Sequence, residues 1–242
     1  MTQIIVIVQA RMGSTRLPGK VLKHVLGRPL LHYLFERLRR ITKAQNAVIA
    51  TTKDPKDDPI VDFCNHEGIS YFRGSEEDVL DRYLQAARFF SADVIVRVTS
   101  DCPLIDPELI DQVIEFFLNH QYDYVSNTQE RKFPRGMDVE IFSFKSLEDA
   151  ANQVTLQEER EHVTLHLYRH PERYSIGKFP WDKDDSQYRL TVDTPEDFEL
   201  ISKILAALYP NNPQFNLKDI LHLLQQHPEW AEINAHIKQK NV

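Results

Sequence analysis

The chain has 242 residues, with 29 Lys+Arg against 36 Asp+Glu and a formal charge of −7. That balance argues against coating a nucleic-acid duplex or docking on an anionic membrane, because counterion-release binding needs a net positive face. A chain this long can bury about 70% of its extended surface, enough for a core without staples, and fits one large domain or a domain with an appendage.

Cys64 and Cys102 are the two cysteines; they make neither a disulfide framework nor a CxxC zinc pair, which points to a reducing cytoplasm. The first apolar run, residues 4–8, is too short for a signal-peptide core, and no later run is long enough to span a bilayer. The expectation is a soluble protein with no membrane insertion.

Residues 4–8 read as a buried strand. A polar loop with Gly13 and Gly19 follows, then a helix with Leu30, Leu34, Leu38 and Ile41 on one face. Pro29 suits its first turn, and Arg39 and Arg40 its last. Residues 47–51 form a second strand, and 58–66 a helix with Ile60, Val61 and Cys64 inward and Gly68 as its stop. A third strand at 69–72 leads to a helix over 77–90 that carries Leu80, Leu84, Ala87 and Phe90, with Ser75 as its expected cap. A fourth strand at 94–98, a helix opening at Pro107 and a fifth strand at 122–126 complete the pattern.

Strand–helix alternation at this spacing predicts an α/β fold with a mostly parallel sheet covered on both faces. Ligands of such sheets gather beyond the carboxyl ends of the strands, which directs attention to the loops at 9–20, 73–78 and 99–106. From about residue 127 the rhythm changes to strand pieces at 139–142, 174–179 and 188–192 mixed with helices, and a helical stretch at 217–226 ends the pattern. No Gly/Ser linker or repeat separates the halves, so the second half reads as completing the same domain.

The strongest local signal is Ala10-Arg11-Met12-Gly13-Ser14-Thr15-Arg16-Leu17-Pro18-Gly19-Lys20, directly after the first strand. Glycines let backbone N–H groups approach an anion, and Arg11, Arg16 and Lys20 neutralise its oxygens, as a polyphosphate requires. It is not a P-loop, because one residue too many separates Gly13 from Gly19 and Val21 stands where Ser or Thr belongs. No GxGxxG occurs, so a dinucleotide site lacks its fingerprint.

The string ARMGSTRLPGK resembles the signature of the cytidylyltransferases that make CMP-KDO and CMP-sialic acids, and the chain looks more specifically like the spore coat polysaccharide biosynthesis protein F branch. The resemblance continues through FRGSEEDVLDRY at 72–83, RVTSDCPLIDPELID at 97–111, FPRGMDVEIF at 133–142, EREHVT at 159–164 and RLTVDTPEDFEL at 189–200. It implies a three-layer α/β/α nucleotide-diphospho-sugar transferase fold, Rossmann-like, occupying 1–242 as one domain. In that scheme 1–126 form a nucleotide-binding half, 127–215 a sugar-binding and dimerisation half, and 216–242 a helical cover.

The implied reaction is attack of a sugar hydroxyl on the α-phosphorus of CTP, with Mg²⁺ as cofactor and pyrophosphate leaving. The resemblance places Ala10, Arg11, Gly13, Ser14, Arg16 and Lys20 on the triphosphate, with Lys20 on the α-phosphate and Arg11 and Arg16 on the β and γ groups. Arg73 and Ser75 would border the nucleobase or ribose, although a plain helix cap uses the same residues; Arg82 on that helix fits either role. Asp101 and Asp193, each expected at a strand end, match the family's metal carboxylates, with Asp197 as the alternative ligand. Arg135 and Asp138 are candidates for an acidic sugar, as are Glu161 and His162. A homodimer using part of 130–180 is implied as well.

His162, His166 and His170 have a spacing that can bring two imidazoles onto zinc, but no HExxH string accompanies them and a packing role is the plainer reading. Cys64 reads as packing; Cys102, beside Asp101, has no activating base nearby in sequence. Asp182-Lys183-Asp184 is the one DxD string and keeps open a glycosyltransferase that consumes a nucleotide-sugar, though it reads as a solvated loop. A nucleotide-binding protein without turnover is the remaining alternative.

Overall fold

Strand β1 (Ile4–Gln9) sets out both faces of the molecule through its side-chain alternation. Ile4, Val6 and Val8 enter one core, and Ile5 and Ile7 the other. The structure, a computed structural model, describes residues 2–238; residues 239–242 of the expected C-terminal cover lie outside the described part.

After β1 and its loop, a small hairpin of β2 (His24–Val25) and β3 (Arg28–Pro29) leads into α1 (Leu30–Leu38). Then come β4 (Asn46–Thr52), α2 (Asp58–Glu67), β5 (Tyr71–Gly74), α3 (Val79–Phe89), β6 (Val94–Thr99), α4 (Pro107–Leu118) and β7 (Tyr124–Ser126). The second half supplies β8 (Glu140–Ser143), α5 (Phe144–Gln153), α6 (Gln157–Glu161), α7 (Leu165–Arg169), β9 (Ile176–Lys178), α8 (Pro195–Leu208), α9 (Leu217–Gln226) and α10 (Pro228–Ala231). Strands from both halves share one seven-stranded sheet in the order β5-β4-β1-β6-β8-β7-β9, in which β8 alone runs antiparallel to its neighbours.

Helices cover both faces because each carries one apolar stripe. Leu31 and Leu34 of α1, Ile110 and Val113 of α4, and Ile201 and Ile204 of α8 pack on the first core. Leu80 and Leu84 of α3 and Leu147 and Ala150 of α5 pack on the second. This is the expected three-layer, mostly parallel α/β architecture of the Rossmann-like kind. No helix among the described residues is long and apolar enough to cross a membrane.

The chain runs outward from β1 through β4 to β5, then returns to the other side of β1 as β6. The loops that leave β1 and β6 therefore diverge at their carboxyl ends, and a crevice opens between them.

Gly68 stops α2 in the left-handed conformation, with φ of 67°. Val61 is only half-buried on that helix, while Ile60 and Cys64 face inward. Ile41 lies beyond the end of α1 yet still packs on the first core. Helix α3 starts at Val79, and its cap is Asp78, whose carboxylate accepts from Asp81 N at 2.8 Å. Ser75, the expected cap, instead accepts from Asp78 N at 3.1 Å one turn earlier. The four-residue spacing of His162, His166 and His170 suits one helix, but the segment is broken into α6 and α7, with Val163 between them at φ of 29°.

The strand expected at 188–192 does not form; a single bridge, Arg135 to Arg189, takes its place. The segment crosses from one loop to another, bonded through Leu190 N to Arg135 O at 2.7 Å and Val192 N to Asp101 O at 2.8 Å, so it has no sheet edge to extend. Its apolar alternation serves burial instead, since Leu190 and Val192 enter the first core. Gly136, at φ of +97°, allows this approach: a Cβ there would stand 2.5 Å from the carbonyl carbon of Leu190.

One buried ion pair stitches the two halves of the sheet. Arg97 on β6 lies opposite Glu140 on β8, and their side chains are in direct contact. Tyr124 Oη and Thr164 Oγ1 each donate to Glu140 Oε1 at 2.6 Å. Burial would raise the Glu140 carboxyl, but Arg97 and the two hydroxyl donors hold it below the usual range.

Glu140→Gln should therefore lower stability at neutral pH by about 3 kcal/mol in urea unfolding, because Arg97 is left buried without its counter-charge. A depressed carboxyl contributes its stability above the ordinary value of 4.5 and loses it as pH falls, so the gap between wild type and variant should narrow on acidification.

Candidate active site

The loop after β1 is shaped from beneath by a residue outside it. Asp57, buried, accepts from Met12 N at 2.6 Å and from the Thr52 hydroxyl. The Met12 carbonyl in turn accepts from Ser14 N at 2.9 Å and Gly19 N at 3.1 Å, closing residues 12–19 on one oxygen. Leu17 and Val21 plug into the first core and anchor the far end. Gly19 adopts φ of +66°, a conformation that suits glycine, whereas Gly13 has an ordinary backbone and open space around it.

A cavity of about 420 Å³ opens over this loop at the β1–β6 crevice. Ala10, Arg11, Gly13, Ser14, Arg16 and Lys20 all line it. So do Asp101, Asp193, Glu161 and His162, which arrive from other parts of the chain. A second cavity of about 590 Å³ adjoins it, lined by Arg135 and Asp138 among others. Arg97, Thr99, Asp101, His162 and Asp193 line both, so they form the wall where the two spaces meet.

Charge is concentrated at that wall. Lys20 Nζ lies 3.0 Å from Asp101 Oδ2 and 2.8 Å from Asp193 Oδ1. Asp193 Oδ2 also receives Arg16 at 3.0 Å and Arg189 at 2.8 Å. Burial alone would lower the Lys20 ammonium pKa, but the two carboxylates raise it above the ordinary value. Burial would raise Asp101, yet Lys20 and the Thr99 hydroxyl hold it below the usual carboxylate range.

Two carboxylates thus converge on one point, now held by an ammonium. An oxygen-only, dianionic donor pair of this kind suits a hard divalent cation better than a soft one. Asp197 is fully buried and lines neither cavity; its carboxylate accepts from Arg189, Asn234, Asp193 N and Thr194 N. Asp193 does not end a strand, as expected, but ends the crossing segment that Arg189 and Asp197 brace.

Arg73 and Ser75 line neither cavity, although the Ser75 carbonyl accepts from Arg82, which lines the first. Arg73 donates to Thr52 O at 2.8 Å and Asp54 O at 3.1 Å and pairs with Asp58, so it ties the end of β5 to the turn after β4. Gln9, Val79, Arg82 and Arg97 line the first cavity instead. Arg131 grips Asp138 through two bonds of 2.8 and 3.1 Å beside Arg135. Burial and the neighbouring Asp101 push the Cys102 thiol well above its ordinary pKa, which disfavours a thiolate nucleophile. Asp182 and Asp184 are solvent-exposed and border neither cavity.

A parallel-sheet α/β fold with a basic glycine loop at its switch point, facing paired carboxylates, defines a nucleotide-handling transferase. The family model described as "Cytidylyltransferase" matches residues 5–227, and the chain belongs to that family of CTP-dependent nucleotidyltransferases. It is 38% identical over 240 residues to spore coat polysaccharide biosynthesis protein SpsF of Bacillus subtilis, covering 96% of this chain and 98% of the relative. A cytidylyltransferase structure from Leptospira borgpetersenii superposes with a TM-score of 0.91 at 34% identity over 100% of both chains. CMP:2-keto-3-deoxy-manno-octonic acid synthetase complexed with CTP shares the fold, with a TM-score of 0.65 at 17% identity over 85% of this chain and 99% of its own.

The loop geometry separates its two glycines. Gly19→Ala should lower stability by about 1 kcal/mol in thermal unfolding, since alanine resists positive φ. Gly13→Ala should stay within about 0.5 kcal/mol of wild type.

Proposed function

We propose that the protein transfers CMP from CTP to a sugar hydroxyl and releases pyrophosphate, using Mg²⁺, in the biosynthesis of a surface polysaccharide. The observation that carries this reading is the shared wall: one cavity presents a basic phosphate loop, the next presents arginine and carboxylate groups, and converging carboxylates stand between them. The name of the Bacillus relative and the CTP in the synthetase structure support it.

In this reading Arg11, Gly13, Ser14 and Arg16 take the β and γ phosphates, and Ala10 borders the nucleotide. Lys20 leaves its carboxylates to meet the α-phosphate. Asp101 and Asp193 would hold the Mg²⁺, which when bound neutralises phosphate charge and polarises the phosphoryl oxygens. Arg135 and Asp138 face the acceptor, Arg135 reading the carboxylate of a 2-keto acid sugar. Glu161 and His162 close the acceptor side, and His162, which lines both cavities, takes the hydroxyl proton as the sugar oxygen bonds to phosphorus and the bond to pyrophosphate breaks. Positioning and charge neutralisation supply most of the rate.

Residues 1–126 would then carry the nucleotide, and 127–215 the sugar and a homodimer contact, with the rest as cover, all working in the cytoplasm. Leu156, 59% exposed within the second half, offers an apolar point for such a contact.

A pyrophosphate-release screen that crosses the four nucleoside triphosphates with acidic and neutral sugars tests the reading. Turnover should appear with CTP and an acidic sugar, and silence across the whole panel would sink it. Lys20→Ala should reduce kcat by about 100-fold or more with an unchanged circular dichroism spectrum. Because Lys20 occupies the metal carboxylates, the same variant should bind free Mn²⁺ more tightly than wild type in an electron paramagnetic resonance titration without nucleotide.

A further inference from the structure

Away from the phosphate loop, at the break between α6 and α7, three ligating side chains meet. Glu159, His166 and His170 each offer an atom, and these atoms all lie within 4.8 Å of one another. Glu159 is 5% exposed and His166 8%, so the cluster is not a set of solvated surface groups. His166 Nδ1 lies 3.0 Å from Glu159 Oε2, while its Nε2 is buried without a hydrogen-bond partner. The His166 and His170 rings stand 4.3 Å apart. Glu172 Oε1, 2.9 Å from His170 Nδ1, supplies the kind of carboxylate that orients a ligating imidazole.

We infer that Glu159, His166 and His170 form a site for a transition-metal ion of the Zn²⁺ class, with water as the fourth ligand, separate from the oxygen-donor pair Asp101 and Asp193. Two imidazoles and one carboxylate form a mixed nitrogen–oxygen set that suits Zn²⁺, whereas Mg²⁺ favours oxygen ligands alone. His162 takes no part, although its spacing in sequence matches; it turns to the cavities, and Glu159 on the preceding helix stands in its place.

Such an ion joins α6 to α7 across Val163, a β-branched residue at φ of 29°. His162 and Thr164, on either side of Val163, both line the second cavity. The ion is thus a clip that holds this wall of the second cavity in shape. The inference does not depend on the transfer reaction proposed above.

The test uses the full chain after treatment with a chelator. Zn²⁺ titrated by calorimetry should bind as a single equivalent and raise Tm, and Co²⁺ should give the intense visible absorption of a four-coordinate site. His170→Ala, at a half-buried position where folding is not at stake, should weaken Zn²⁺ by at least about tenfold and remove the Co²⁺ band. His166→Gln should do the same, and Asp101→Asn should leave both signals in place. Absence of Zn²⁺ binding to the wild type, binding retained in His170→Ala, or a Co²⁺ signal lost only in Asp101→Asn would each overturn the inference.

Discussion

The ammonium of Lys20, held between Asp101 and Asp193, is the interaction around which the active-site region is organised. Two carboxylates brought this close in a partly buried crevice repel each other strongly, and neither stays ionised cheaply without a counter-charge. Lys20 supplies it, and Arg16 and Arg189 add to it at Asp193. The cluster joins three distant stretches of chain: the loop after β1, the loop after β6, and the segment that ends at Asp193. On the proposed reading the same cluster is where a divalent cation would replace the ammonium as Lys20 turns to phosphate.

The sheet makes that convergence possible. Because β6 returns to the far side of β1, the loops carrying Lys20 and Asp101 start side by side and open away from each other. Asp193 is brought in by a different device, the crossing segment bonded to Arg135 and Asp101 through its backbone and braced by the Arg189–Asp197 pair. Two of the three charged residues are thus placed by strand order, and the third by a fully buried carboxylate that satisfies Arg189, Asn234 and the cap of α8 together. Asp197 shows how a residue can govern a site it does not line.

This division explains what could be read from the sequence. That Lys20, Arg16 and Asp101 would meet at one crevice was legible because each sits within a short string directly after a strong apolar strand. The segment 188–192 misled because alternation reports burial on one side, and a strand is only one way to achieve that. Family resemblance places Arg73 at the nucleobase or ribose, while its guanidinium bonds the carbonyls of Thr52 and Asp54, whose proximity follows from the β4–β5 pairing. Asp57 gave no signal within its polar run, since its partner Met12 lies 45 residues away. Non-local hydrogen bonds of this type leave no periodicity to detect.

Arg97 and Glu140 extend the same logic from the loop after β1 to the second cavity. A charged residue at the centre of β6 is costly in a sheet buried on both faces, and the antiparallel register of β8 provides its counter-charge directly opposite. Glu140 then takes the Thr164 hydroxyl, one residue past Val163, while Arg97 reaches Gln9 at the end of β1 with a bond of 3.2 Å. A continuous chain of polar contacts therefore runs from the root of the loop after β1, under the shared wall, to the turn that carries His162. Since Glu140 is buried, Arg97 is partly so, and both are fixed by strand register, the sheet itself holds the two cavities in one mutual position; on the proposed reading, an acceptor and a triphosphate seated in them would meet in a preset orientation.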